Sequence, residues 1–244
     1  MLNNNLLALV NTFAAALIWL RLNNYAAERG WIEAQMSRKI IHMGTGPIFV
    51  LTWLLFDNSP SSRYLAALVP LAITAQFALV GLGVIKDEAA VKAMSRTGDR
   101  REILKGPLYY GIVFIIITIV FWLDNPVGII ALMLLCGGDG LAEIVGTRWG
   151  RFHLPWAPDK TLLGTLAMFA GGWSFALIMT NIFTSLNVFP GEFRDYIFPI
   201  NLISVAGAAV ESLRLKDIDN LTVTTAAVLY GNLLFHPDIW PPQL

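Results

Sequence analysis

A chain of 244 residues that is 56% hydrophobic and only 14% charged falls well short of the roughly 25% charged residues of a soluble domain and reads as an integral membrane protein. Its 17 basic and 17 acidic residues cancel, so no global basic field draws in nucleic acid. The single Cys136 excludes an internal disulfide framework and a cysteine-based metal cage, and reads as a packed core thiol.

Eight apolar segments follow one another, at approximately 4–21, 41–56, 64–85, 108–123, 126–137, 164–184, 196–211 and 221–236. A helix needs about 20 apolar residues to cross a bilayer. The first has no basic residues ahead of it and reads as a span, not a cleaved leader. The second is short, with Gly44, Gly46 and Pro47 near its start. The fifth is also short, opening at Asp124 and Pro126 and breaking at Gly137-Gly138. Short or broken spans are tolerated where they line a cavity or are buried in protein, which marks these two as helices near a site. The expected fold is an all-α, polytopic membrane bundle of about eight transmembrane helices, forming one membrane-embedded domain over residues 1–244.

The segments after spans 1, 3, 5 and 7 carry 15 of the 17 basic residues, ending with Arg214 and Lys216. The opposite side holds only Arg63 and Arg194. The positive-inside rule then puts these segments in the cytoplasm and both termini outside. Twelve of the 17 acids fall in the same segments. Orientation bias does not require acids there; a chemical face does.

Along that face, SRKIIHMGTGP (37–47) sets Arg38 and His42 four residues apart, one helical turn. Arg38 or Lys39 suits phosphate and His42 suits proton transfer; interfacial anchoring of the span is the competing reading. KDEAAVKAMSRTGDRREILKG (86–106) reads as an amphipathic surface helix or a basic rim. LLCGGDGLAEIVGTRWG (134–150) presents Asp139 and Glu143 one turn apart, followed by Arg148. Two carboxylates suit Mg²⁺, which takes its other ligands from phosphates and water. Gly138 and Gly140 let backbone approach a ligand closely. A helix start capped by Asp139 explains the same residues. In WAPDKTLLGTLAMF (156–169), Lys160, Thr161 and Gly164 suit phosphate at a helix start, or else Asp159 caps the helix and Lys160 reaches the interface. In VESLRLKDIDNLTV (210–223), Asn220 suits the cap of the last span, leaving Asp219 as metal ligand or base. Ordinary polar turn chemistry explains this stretch too. Together these residues equip a membrane face to bind a nucleotide or polyphosphate.

RKIIHMGTGPIF, SRTGDRREILKGPLYYG, CGGDGLAEIVGTRWG with LPWAPDKTLLGTLAMF, and VESLRLKDIDNLTV occur in an order that resembles the polyprenol kinase family. The REILKGPLYY stretch is most similar to its phytol and farnesol kinase branch, with dolichol kinase a further relative. The resemblance covers about residues 37–223 and implies a multi-span enzyme of a bacterial or plastid-type membrane. It would phosphorylate an isoprenoid alcohol with CTP or UTP and Mg²⁺, as phytol kinases do in salvaging phytol for tocopherol and other prenyl lipids. Lys160-Thr161 and Gly164-Thr165 stand where the family pattern has serines, Glu143 where it has Asp, and Thr224 where it has Pro. The implied roles are Asp139, Glu143 and Asp219 for the metal, and Lys160, Arg148 and Arg38 on the γ-phosphate. Lys39, Gly138, Gly140, Thr161, Gly164 and Asn220 complete the nucleotide contacts, and Asp219 or His42 is the base. The competing activities are transfer to farnesol or geranylgeraniol, a CDP-lipid-forming cytidylyltransferase, and a transporter. The DGLAE run lacks the DGxxAR of CDP-alcohol transferases. Transporters place charge near the midplane rather than at one face.

Overall fold

A computed structural model describes residues 2–215 and 218–236; Lys216 lies outside the described residues. The chain forms two compact units, 1–120 and 121–244. The eight expected spans all appear as helical rods, in order. Five helices among the described residues are long and apolar enough to cross a membrane: Asn4–Glu28, Ser62–Leu82, Arg100–Val120, Pro126–Trp149 and Leu162–Ser185. The chain is an all-α membrane bundle with one small β-hairpin.

The first unit holds α1 (Leu2–Glu28), α2 (Ala34–Thr52), α3 (Ser62–Leu82), the short α4 (Glu88–Met94) and α5 (Gly106–Val120). α1 packs on α2 and α3, and α3 on α5. Gly44 lets α2 close on the Trp19 ring, which would lie 2.2 Å from an added Cβ. Trp19 Nε1 donates to the Ile41 carbonyl at 3.2 Å. α2 runs through Gly44, Gly46 and Pro47 without a break, as membrane helices can when neighbours satisfy the freed backbone groups.

A polar clasp closes one end of this unit. Asp57, between α2 and α3, accepts on Oδ1 from Asn5 Nδ2 at 2.9 Å, Ser59 N at 2.9 Å and Ser62 Oγ at 2.7 Å. Its own N–H donates to Asn5 Oδ1 at 3.0 Å. These hydrogen bonds, led by Ser59 and Asn5, hold the Asp57 carboxyl well below the usual carboxylate range, because they favour the ionised form. At the far end, the surface segment is folded around Glu102, which accepts from Thr97 N at 3.2 Å and Thr97 Oγ1 at 3.0 Å. Asp87 caps α4 through Ala90 N at 2.9 Å.

The second unit holds α6 (Pro126–Met133), α7 (Gly140–Trp149), strands β1 (His153–Leu154) and β2 (Ala157–Thr161), α8 (Leu162–Ser185), α9 (Phe193–Glu211) and α10 (Asp219–Leu234). Asn125 caps α6 by accepting from Val127 N at 2.8 Å, with Pro126 at the first helical position, where its missing N–H costs nothing. Gly137-Gly138 does not end this span. Residues Leu134–Asp139 form a π-helical segment that joins α6 to α7 in one rod. Packing overrides the weak propensity of the glycines: the apolar stretch of this rod is 78% buried, against 33% for α8. Ile129 to Met133, Leu135 and Cys136 are fully enclosed, with α8, α9 and α10 packed around the rod. The pair serves close approach instead, since an added Cβ at Gly137 would lie 2.8 Å from the Gly171 carbonyl oxygen and one at Gly138 3.0 Å from that of Met168.

Candidate active site

Four polar ends meet in the second unit: the π segment, β2, the last turn of α9 and the first turn of α10. Lys160, on β2, donates from Nζ to Glu211 Oε1 at 2.6 Å and also to the Glu211 backbone carbonyl. The two side chains are only 17% and 10% exposed. The charge of Asp139 acts on both Glu211 and Asp219, and Lys160 acts on both in the opposite sense. Lys160, Asp139, Glu211 and Asp219 therefore form one electrostatic cluster, although they come from four separate elements.

Local structure explains how the chain holds these groups. The hairpin pairs His153 with Thr161 and Leu154 with Ala157. It is fastened to the end of α9 by Trp156 Nε1, which donates to the Ser212 carbonyl at 3.1 Å. An exposed Arg214–Asp159 pair at 3.5 Å adds a weaker tie. Thr161, not Asp159, caps α8, its Oγ1 accepting from Gly164 N at 3.1 Å. Gly164 in turn lies flush on α7, where an added Cβ would stand 3.2 Å from the Ala142 carbonyl oxygen. In the next residue, Thr165, Oγ1 is buried with no hydrogen-bond partner among the described residues.

Two further capping expectations give way. Asp139 makes no cap hydrogen bond, because the helix is continuous through it. Asn220 does not cap α10; the helix starts at Asp219, with Ile218 in the cap position, and Asn220 is buried in the first turn. Helix termination therefore does not account for Asp139. Glu143 lies one turn further on, half-buried on α7. Gly138 and Gly140 are buried in the same rod, and Arg148 is exposed in its last turn.

Arg38, Lys39 and His42 belong to α2 in the first unit. Lys39 is buried. The His42 ring packs on that of Tyr110 with centroids 4.4 Å apart, and its carbonyl accepts from Tyr110 Oη at 2.9 Å. Sequence reasoning passed over Glu211, because a single acid closing an apolar run carries no spacing signature.

No three His, Cys, Asp or Glu side chains among the described residues are grouped as a metal cage. Mg²⁺ does not require one; it is commonly held by one or two carboxylates together with substrate phosphates and water. Asp139 and Asp219, both partly buried and within electrostatic reach of each other, are oxygen donors of that kind.

The fold and this cluster define a polytopic membrane protein with a lysine set among carboxylates at its helix ends. A probable phytol kinase, chloroplastic, from Triticum aestivum is 38% identical over 224 residues, 91% of this chain and 75% of that one. Probable phytol kinase 2, chloroplastic, from Oryza sativa subsp. japonica is 40% identical over 226 residues, 92% and 74%. Farnesol kinase, chloroplastic, from Arabidopsis thaliana is 39% identical over 210 residues, 85% and 68%. No family model matches the chain, and no solved structure matches it. The chain belongs to the polyprenol kinase family, in its phytol kinase branch.

Proposed function

We propose that this protein phosphorylates an isoprenoid alcohol, phytol first among them, using CTP or UTP at the cytoplasmic face of a bacterial or plastid-type membrane. The observation that carries the reading is the gathering of Lys160 with Asp139, Glu211 and Asp219 in a chain of the phytol kinase branch. Phosphoryl transfer asks a protein mainly for positioning and charge neutralisation, and this cluster offers both.

In this reading Asp139, with Glu143 or Asp219, holds Mg²⁺, which when bound neutralises phosphate charge. Lys160 and Arg148 balance charge on the γ-phosphoryl group. Gly138, Gly140, Thr161, Gly164 and Asn220 complete the nucleotide contacts. The alcohol oxygen attacks the γ-phosphorus, the bond to the bridging oxygen breaks, and the nucleoside diphosphate leaves. Asp219 takes the hydroxyl proton. The prenyl chain reaches the site from the lipid. It begins in hydrocarbon, so burial from water, worth about 0.8 kcal/mol per CH₂, contributes little to binding. Discrimination between alcohols then rests on the shape of the space that receives the tail.

The test supplies phytol, farnesol and geranylgeraniol to the purified protein with γ-labelled CTP, UTP and ATP. The expected result is labelled phytyl phosphate, formed best with CTP. No labelled product from any pair sinks the proposal. A CDP-lipid formed with release of pyrophosphate, or alcohol uptake into vesicles without transfer, replaces it with the cytidylyltransferase or the transporter.

A further inference from the structure

Glu211 is the least expected member of the cluster. It is buried, it closes α9, and it contacts Lys160 twice, through its carboxylate and its own carbonyl. A buried ion pair is a weak source of stability, because desolving both ions offsets most of their attraction. Asp139 and Asp219 add like charge beside it, which burdens the fold further. Such an arrangement calls for a reason beyond folding.

The contact geometry supplies one. An ammonium has three N–H donors. Two are engaged by Glu211, one on the side chain and one on the main chain, so the Nζ position and the direction of the third are fixed together. The lysine also rises from a strand tied to the same α9 end by Trp156. A flexible four-carbon side chain is thus anchored at both its root and its tip. In protein kinases, a lysine on nucleotide phosphates is held by a glutamate from a separate helix. The same physical solution suits an unrelated helical fold.

We infer that Glu211 is a positioning residue, which holds the Lys160 ammonium with one N–H directed at the nucleotide phosphates. The inference rests on the phosphoryl-transfer reading above. Glu211 acts through Lys160 and touches neither substrate.

The test uses the full-length protein in detergent or nanodiscs and the variants Glu211→Gln, Lys160→Met and the two combined. Lys160→Met is expected to lower kcat on the order of 10²-fold and Glu211→Gln at least tenfold, with the KM for the alcohol unchanged. The double variant, which removes both members of the buried pair together, should be no slower than Lys160→Met alone. A Glu211→Gln kcat within about twofold of wild type, or a double variant showing the product of both losses, overturns the inference.

A second readout is independent of turnover: acetylation of Lys160 by an N-hydroxysuccinimide ester, followed by mass spectrometry. Labelling should quicken several-fold in Glu211→Gln and stay at the wild-type rate in Asp159→Asn. An unchanged rate in Glu211→Gln overturns the inference. If wild-type protein transfers phosphate to no alcohol, the kinase reading fails by itself. The labelling comparison then still decides whether Glu211 holds Lys160.

Discussion

The two units each gather polar residues at a helix end, and they do so in opposite ways. In the first, Asp57 is surrounded by donors: Asn5, Ser59 and Ser62 satisfy one carboxylate oxygen between them. In the second, Asp139, Glu211 and Asp219 share one neighbourhood with Lys160. Donors around one charge stabilise a structure. Like charges crowded together work against it, and persist where a cation or phosphate is to be received. The comparison separates a polar cluster that fastens helices from one arranged for chemistry.

Substitutions should divide along that line. Asp139→Asn, the largest expected effect, should cut phosphate transfer on the order of 10³-fold while leaving expression and melting unchanged. Activity retained in that variant would remove the metal role. Lys160→Met should cost on the order of 10²-fold in kcat, read in the same labelled-product assay.

Gly171→Ala tests the scaffold beneath the site. Its new Cβ would meet the Gly137 carbonyl, and overpacking of this kind destabilises by about 1–3 kcal/mol. Thermal unfolding in detergent should register the loss. An unchanged melting temperature would show that α8 shifts freely against the central rod.

Asn5→Ala should do the reverse of Asp139→Asn, lowering the melting temperature by a few degrees, about 2–4 °C, with kcat intact. Its pH dependence follows from Asp57. That carboxyl is held low in the folded chain, so its contribution is complete above the ordinary carboxylate value near pH 4 and fades as pH falls below it. The gap between wild type and Asn5→Ala should therefore be constant at neutral pH and narrow in acid. A gap that widens in acid would contradict the assignment of the clasp to an ionised Asp57.

The bundle was legible because eight apolar runs separated by charged segments leave little choice of architecture. Each run became a helical rod. What escaped has definite causes. Gly137-Gly138 reads as a break from local propensity alone, but three helices packed around the rod hold it helical. The hairpin at 153–161 is too short and too polar to show an alternating pattern. The Lys160–Glu211 contact joins residues 51 apart in sequence, and no local spacing encodes it. Asp139 stood out because an acid between glycines at a span end is unusual in so apolar a chain, and Lys160 and Asp219 because each is a charged residue at the start of a span. The hydroxyl of Thr161 was legible as part of a helix start, yet the structure uses it to cap α8.

The π-helical segment at Leu134–Asp139 also preserves an angular phase. A π turn holds one more residue than an α turn, and each α-helical residue advances the chain by about 100° around the axis. The wider turn therefore absorbs an extra residue, and the face bearing Asp139 and Glu143 keeps nearly the direction it would have on a plain α-helix one residue shorter. The segment works as a slack link in the central span: a residue can be taken out of it with the carboxylates still facing the same way. A one-residue deletion within Pro126–Met133, which has no such slack, should instead swing that face by about 100° and abolish activity, although no functional group has been removed.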